Sequence, residues 1–221
     1  MLQEFAGIQG LADRVSDISL VDSSGDRVAF KKFQAGEFEA EQDFGAFEYA
    51  VDLTPQKSPA SAGHISWLNG RGGILFLHDL LPQLPGRIGH VGANIRLTEP
   101  TGWKAVGGRE AEQGTFRFPQ VENGVIFVGP DIRLTEGSAG EARMLIAVNG
   151  NWNFADDDIE RIAGEIFDEN LKVFGDAASN EACIFLARFP NTVPPGNWEG
   201  DTRGNTVTIV SSDMSKIIAS R

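Results

Sequence analysis

The sequence predicts a mainly β protein, with an antiparallel β domain over residues 1–149 and a small α+β segment over residues 150–221. Three observations carry that expectation. Short runs through the first two-thirds of the chain alternate apolar with polar residues. The 26 Gly and 10 Pro interrupt those runs without a period, as turns between strands do. The apolar spacing then changes once to a three-four repeat, after NGNWNF. Hydrophobic residues make up 41% of the chain, with 15 Phe and 4 Trp, enough to build a core and to exclude wholesale disorder.

The elements follow in order. Residues 3–38 give short strands, RVAFKKF the clearest, divided by the turn SSGD. In FEYAVDL, Phe47, Tyr49, Val51 and Leu53 share one face, the pattern of a half-buried strand. A loop rich in Ser, Pro and Gly follows and carries Trp67; GILFL is then an apolar strand that must end before Pro82. GWKAVG, TFRFPQ, GVIFVG and ARMLIAVNG all read as β. GANIRLTE at 92–99 and GPDIRLTE at 129–136 share six of eight residues, either as two copies of a strand-edge unit or by chance.

Ile159, Ile162, Ala163, Ile166, Phe167, Leu171 and Phe174 recur at helical spacing and predict a helix over about 156–174 buried on one face. Asp156, Asp157 and Asp158 suit its positive end and Gly175 its C-cap, so capping accounts for the aspartates without a calcium or magnesium ion. EACIFLARF and NTVTIVSS are strands, and SDMSKIIASR opens like a helix, with Ile217 and Ile218 unmatched where the sequence stops.

The formal net charge of −12 argues against nucleic acid or an anionic membrane surface as partner, since no basic patch is present to neutralise phosphates. No apolar run of membrane-spanning length occurs, and MLQEFAGIQGLADRVSD lacks a signal-peptide pattern, so the chain reads as soluble and cytoplasmic. The single cysteine, Cys183, excludes an internal disulfide and reads as a core residue within ACIFLA. His64, His78 and His90 lie 14 and 12 residues apart in Gly- and Pro-rich sequence, which is not a metal-ligand spacing, and no His-Glu-x-x-His occurs.

One stretch remains, PPGNWEGDTRGNTV, which places a Trp, a Glu and an Arg at a loop-to-strand junction. With GWKAVG at 102–107 and KVFGD at 172–176, GNWEG at 196–200 resembles the N-terminal portion of the glycyl aminopeptidase-like zinc metallopeptidases, peptidase M61. The resemblance spans the chain loosely and about 70 residues well. It implies that the β domain over 1–149 is saddle-shaped or sandwich-like, that 150–221 is the start of a thermolysin-like catalytic domain, and that Gly196, Asn197, Trp198 and Glu199 lie along the substrate side of the cleft. Glu199 would then hold the amino group of a peptide substrate. Trp198 stands where that family has Leu, and Gly200 where it has His.

The resemblance also implies zinc in a full-length parent, on a helix that should follow SSDM at 211–214. The chain gives SKIIASR there, so these residues read as a front portion without catalytic residues, metal ligands or cofactor, and inactive alone. An interrupted catalytic domain would expose an apolar face and favour self-association. Two other readings stay open. In a non-catalytic peptide- or carbohydrate-binding module, HISWLNG and GNWEG would line a groove; in a self-contained hydrolase, His78, Asp79 and a serine would meet, although no Gly-x-Ser-x-Gly occurs.

Overall fold

The computed structural model describes residues 4–5, 7–83, 90–112, 114–139, 142–175 and 181–212. The segment SDMSKIIASR lies almost entirely outside them. The fold is mainly antiparallel β, as the alternation and turn content predict. Val15–Val21 pairs with Ala46–Val51, and Phe30–Gln34 with Glu37–Ala40. A four-stranded antiparallel sheet runs in the order Lys104–Gly107, Val125–Gly129, Gly72–Phe76, Trp67–Asn69. Beside it, Thr115–Phe118 pairs with both Arg109–Glu112 and Ala93–Arg96.

The largest sheet has five strands, ordered Ile132–Ala139, Ala142–Asn149, Glu181–Arg188, Thr206–Ser211, Trp198–Arg203. Its three central strands are parallel, and both outer strands run antiparallel to their neighbours. The parallel pairing follows from the helix Asp156–Phe174, which links Ala142–Asn149 to Glu181–Arg188 as a crossover. MLIAV and CIFLA are continuous apolar runs because both faces of these strands are covered.

One face packs on the four-stranded sheet, where Phe127 stacks on Phe185 at 5.3 Å amid Ile74, Phe76, Cys183 and Val210. Cys183 is a buried core residue whose thiol pKa is pushed up by burial. The other face, with Met144, Ile146, Val148 and Leu186, meets Ile159, Ala163 and Phe167 of the helix. Ile166 departs from the expected buried face and is 55% exposed, and Val173, outside that face, is 73% exposed. The helix also packs against Ile132–Ala139, with Glu160 beside Gly137, while Ile166 and Val173 face solvent. The side chain of Phe174 lies outside the described residues.

The two IRLTE segments both supply outer strands, one in the three-stranded and one in the five-stranded sheet, with unrelated partners. Among the described residues no helix is long and apolar enough to cross a membrane.

Candidate functional site

Pro194 and Pro195 stiffen the approach to the Trp198–Arg203 strand, and Gly196 turns the chain at φ 84°. Asn197 fixes the turn from both ends. Its side-chain amide donates to the Pro194 carbonyl at 2.9 Å, and its own carbonyl accepts from the Ser212 backbone N–H at 3.0 Å. The strand that follows is an outer strand of the five-stranded sheet, with Trp198 opposite Ser211 and Glu199 opposite Val210. Because Asn197 bonds inward, the antiparallel alternation leaves the peptide groups of Trp198, Gly200 and Thr202 facing the free edge.

Trp198 is 62% exposed, whereas Glu199 is half-buried on the face turned toward the four-stranded sheet. Among the described residues no hydrogen bond or ion pair engages the Glu199 carboxylate. The four residues singled out in the sequence are therefore contiguous at one edge, the first three open and the fourth partly covered.

Arg203 does not pair with Glu199, as a solvated loop pair would require. It is buried, its Nε donates to Asp201 at 2.7 Å, and its Nη1 meets His78 Nδ1 at 2.7 Å. The guanidinium also lies 4.7 Å from the centroid of the Phe5 ring and 5.2 Å from that of Phe76. Burial first, and then the Arg203 charge, push the His78 pKa down to about 4, so the ring is neutral at pH 7 and accepts from Arg203. Sequence reasoning missed this arrangement, and no local signal could have found it, because the partners lie 125 residues apart.

Asp79 is buried and accepts from Arg14 Nη2 at 2.9 Å, from the Ser66 N–H at 2.9 Å and from the Ser66 hydroxyl. His78 turns to Arg203 rather than Ser66, so these groups form no nucleophile-base relay. The residues present do not fit zinc either. Among the described residues no three His, Cys, Asp or Glu side chains come together, and Arg203 and Arg14 occupy the groups nearest to such a set.

Trp67, the other aromatic considered for a groove, is 6% exposed and donates its indole N–H to the Ala62 carbonyl at 2.9 Å. That leaves one of the two tryptophans on the surface. A cleft at the carboxyl ends of the parallel strands is lined by Asn149, Asn151, Arg188, Ser211 and Ser212. Arg188 stacks on Trp152 there at 3.8 Å and donates to the Asn151 and Ser212 carbonyls.

The fold is similar to part of solved aminopeptidase N family and M1 zinc metallopeptidase structures. An aminopeptidase N family protein from Idiomarina loihiensis superimposes with a TM-score of 0.75 at 12% identity, over 90% of this chain and 34% of its own. An M1 zinc metallopeptidase from Deinococcus radiodurans gives a TM-score of 0.52 at 14% identity, over 93% of this chain and 54% of its own. A mutant M1 enzyme from the same organism, bound to a Tyr-Ser-Ala substrate, gives 0.52 at 13% identity, over 93% of this chain and 54% of its own. The chain thus spans between a third and about half of these proteins' lengths. No protein-family model and no curated protein matches it. These structures are described as aminopeptidase N or M1 proteins, and the likeness does not single out M61.

Proposed function

We propose that these residues form the N-terminal and substrate-side part of a zinc aminopeptidase of the M61 or M1 kind, with Gly196 to Glu199 lining the peptide site and Glu199 holding the substrate's amino group. The observation that carries this is the open edge at Asn197 and Trp198, which leads to a half-buried carboxylate with no hydrogen-bond or ion-pair partner among the described residues. An edge strand lends backbone hydrogen bonds to an extended peptide, and a partly desolvated carboxylate holds an ammonium group. Zinc and the catalytic base would come from residues outside this sequence, so the chain alone is inactive. A reading frame continuing past Arg221 into His-Glu-x-x-His would supply them.

The proposal keeps two units, an N-terminal β domain over 1–149 and the start of a catalytic domain over 150–221. The exposed Ile166 and Val173 support self-association of the chain.

The test is titration of the isotope-labelled chain with Ala-Ala-Ala, followed by backbone amide shifts. Shifts should centre on residues 196–199, and Glu199→Gln should weaken binding about tenfold. Equal binding by the variant would remove Glu199 from the role. With added zinc the chain should not turn over alanine anilides, and zinc-dependent turnover would overturn the claim of inactivity. A non-catalytic binding module is the second reading, favoured by exposed Trp198; shifts at Trp198 with oligosaccharides and none with Ala-Ala-Ala would select it.

A further inference from the structure

The strand pair Val15–Val21 and Ala46–Val51 carries an aromatic row that the described residues leave partly open. Phe47 and Tyr49 project from the same side of their strand, with ring centroids 5.7 Å apart and planes 14° from parallel. Phe44, in the turn before that strand, meets Phe47 edge-on at 6.1 Å and 86°. The Tyr49 hydroxyl donates to the Leu80 carbonyl at 2.6 Å and fixes one end of the row, while Phe44 and Phe47 are exposed. These two rings form a corner open to solvent and set before anything binds. Among the described residues Ala46–Val51 pairs with no strand other than Val15–Val21, so its second edge is open as well.

Negative charge is concentrated around this corner. Residues 15–52 hold nine acidic and three basic residues, so about a sixth of the chain carries half of its net charge of −12. Of the three cations, Lys31 pairs with Glu41 at 3.6 Å and Lys32 lies over the Phe38 ring at 5.9 Å, which leaves Arg27. The turn that presents Phe44 packs on a second acidic turn. The Gly45 N–H donates to the Val21 carbonyl at 2.8 Å, and a Cβ on Gly45 would stand 3.4 Å from the Ser23 nitrogen. Asp22 and Asp26 on one turn and Asp43 on the other thus belong to the end of the strand pair that bears Phe44.

We propose that this corner docks a basic, extended segment of a partner protein, with its arginine side chains on Phe44 and Phe47 and its backbone along the open edge of Ala46–Val51. A guanidinium stacks on an aromatic ring face and is attracted by it, and carboxylates beside the ring add to that attraction. An open strand edge supplies backbone hydrogen bonds to an extended segment. The charge distribution selects against other occupants: an acidic surface, including a second copy of this chain, is repelled, and an apolar segment would desolvate the aspartates without pairing them.

The test titrates the isotope-labelled chain, at about 0.1 M salt, with acetyl-Arg-Thr-Arg-Thr-Arg-Thr-amide and acetyl-Leu-Thr-Leu-Thr-Leu-Thr-amide. Alternation places the arginines, or the leucines, on one face of the extended peptide. The arginine peptide should shift the amide signals of residues 43–51 and of the 22–27 turn. It should bind on the order of tenfold tighter than the leucine peptide, and more weakly as salt rises. Phe44→Leu combined with Phe47→Leu keeps the apolar bulk and every charge but removes the ring faces. That variant should bind the arginine peptide about tenfold more weakly and the leucine peptide unchanged. Asp26→Asn combined with Asp43→Asn keeps the rings, and should weaken the arginine peptide about threefold and flatten its salt dependence.

Equal binding of the arginine peptide by the double leucine variant overturns the ring contact. Equal affinity for the two peptides overturns the basic partner in favour of an apolar one. Signals at 43–51 that stay in place with millimolar arginine peptide overturn the docking corner altogether.

Discussion

His78 shows how one residue sets the response of this protein to acid. Its ring sits 4.4 Å from the Phe5 ring and accepts from the buried Arg203, whose Nη2 has no further partner among the described residues. Asp79 and Asp201 pull its pKa up and Arg14 pushes it down, but burial and Arg203 dominate and leave it at about 4. The unfolded chain takes up this proton near pH 6.5, whereas the folded chain resists it until about pH 4. The folded-state pKa is depressed, so this contribution to stability is complete above pH 6.5 and lost as pH falls through the window to 4, at up to about 1.4 kcal/mol per pH unit. His78→Phe should cost about 1–3 kcal/mol at pH 7, because Arg203 loses its acceptor, yet flatten the decline between pH 6.5 and 4. Urea denaturation at four pH values in that range checks this, and parallel declines in both proteins would count against it. None of this was legible in the sequence, where His78 lacks metal-ligand spacing and enters only a hydrolase reading with Asp79 and a serine. The junction at Gly196 to Glu199 was legible, because turn residues beside an alternating run mark a strand entry whatever the tertiary context.

Among the elements, the helix Asp156–Phe174 was the most readable, and its start shows why. Two of the three aspartates do separate jobs there. Asp158 accepts from the Ala155 N–H at 3.2 Å, and Asp156 takes a two-pronged bond from Arg133 at 2.8 and 3.0 Å. Arg133 also donates to the Gly150 carbonyl at 2.8 Å, so one guanidinium ties the outer strand, the turn and the helix start together. Gly175 ends the helix at φ 83°, where other residues are strained. Arg133→Lys keeps the charge but loses the fork, and should lower stability by about 1 kcal/mol, a modest figure because the pair is partly exposed. Thermal denaturation measures this, and an unchanged midpoint would show the tie to be idle. The parallel pairing escaped the sequence because alternation and apolar runs report which faces are buried and not which way a neighbour runs. Spacing likewise reports which helix residues share a face and not how far a tertiary partner covers it, so the exposure of Ile166 could not be foreseen from spacing alone.

For the molecule as a whole, two opposing features govern association. The helix edge presents Ile166 and Val173 to solvent, seven residues apart and so on one side of the helix, which favours contact between copies. Each copy carries a net charge of −12, which opposes it. Repulsion between surface charges is screened over about 10 Å at 0.1 M salt and about 3 Å at 1 M, while apolar contact is not weakened by that screening. The balance should therefore shift with ionic strength: sedimentation at several concentrations should find mostly monomer in low salt and a growing dimer fraction as salt rises. Ile166→Glu combined with Val173→Lys leaves the net charge unchanged and removes the apolar pair, and should abolish the salt-induced dimer. A monomer at every salt and protein concentration would overturn self-association through this edge. A dimer that persists in the double variant would place the contact elsewhere on the surface.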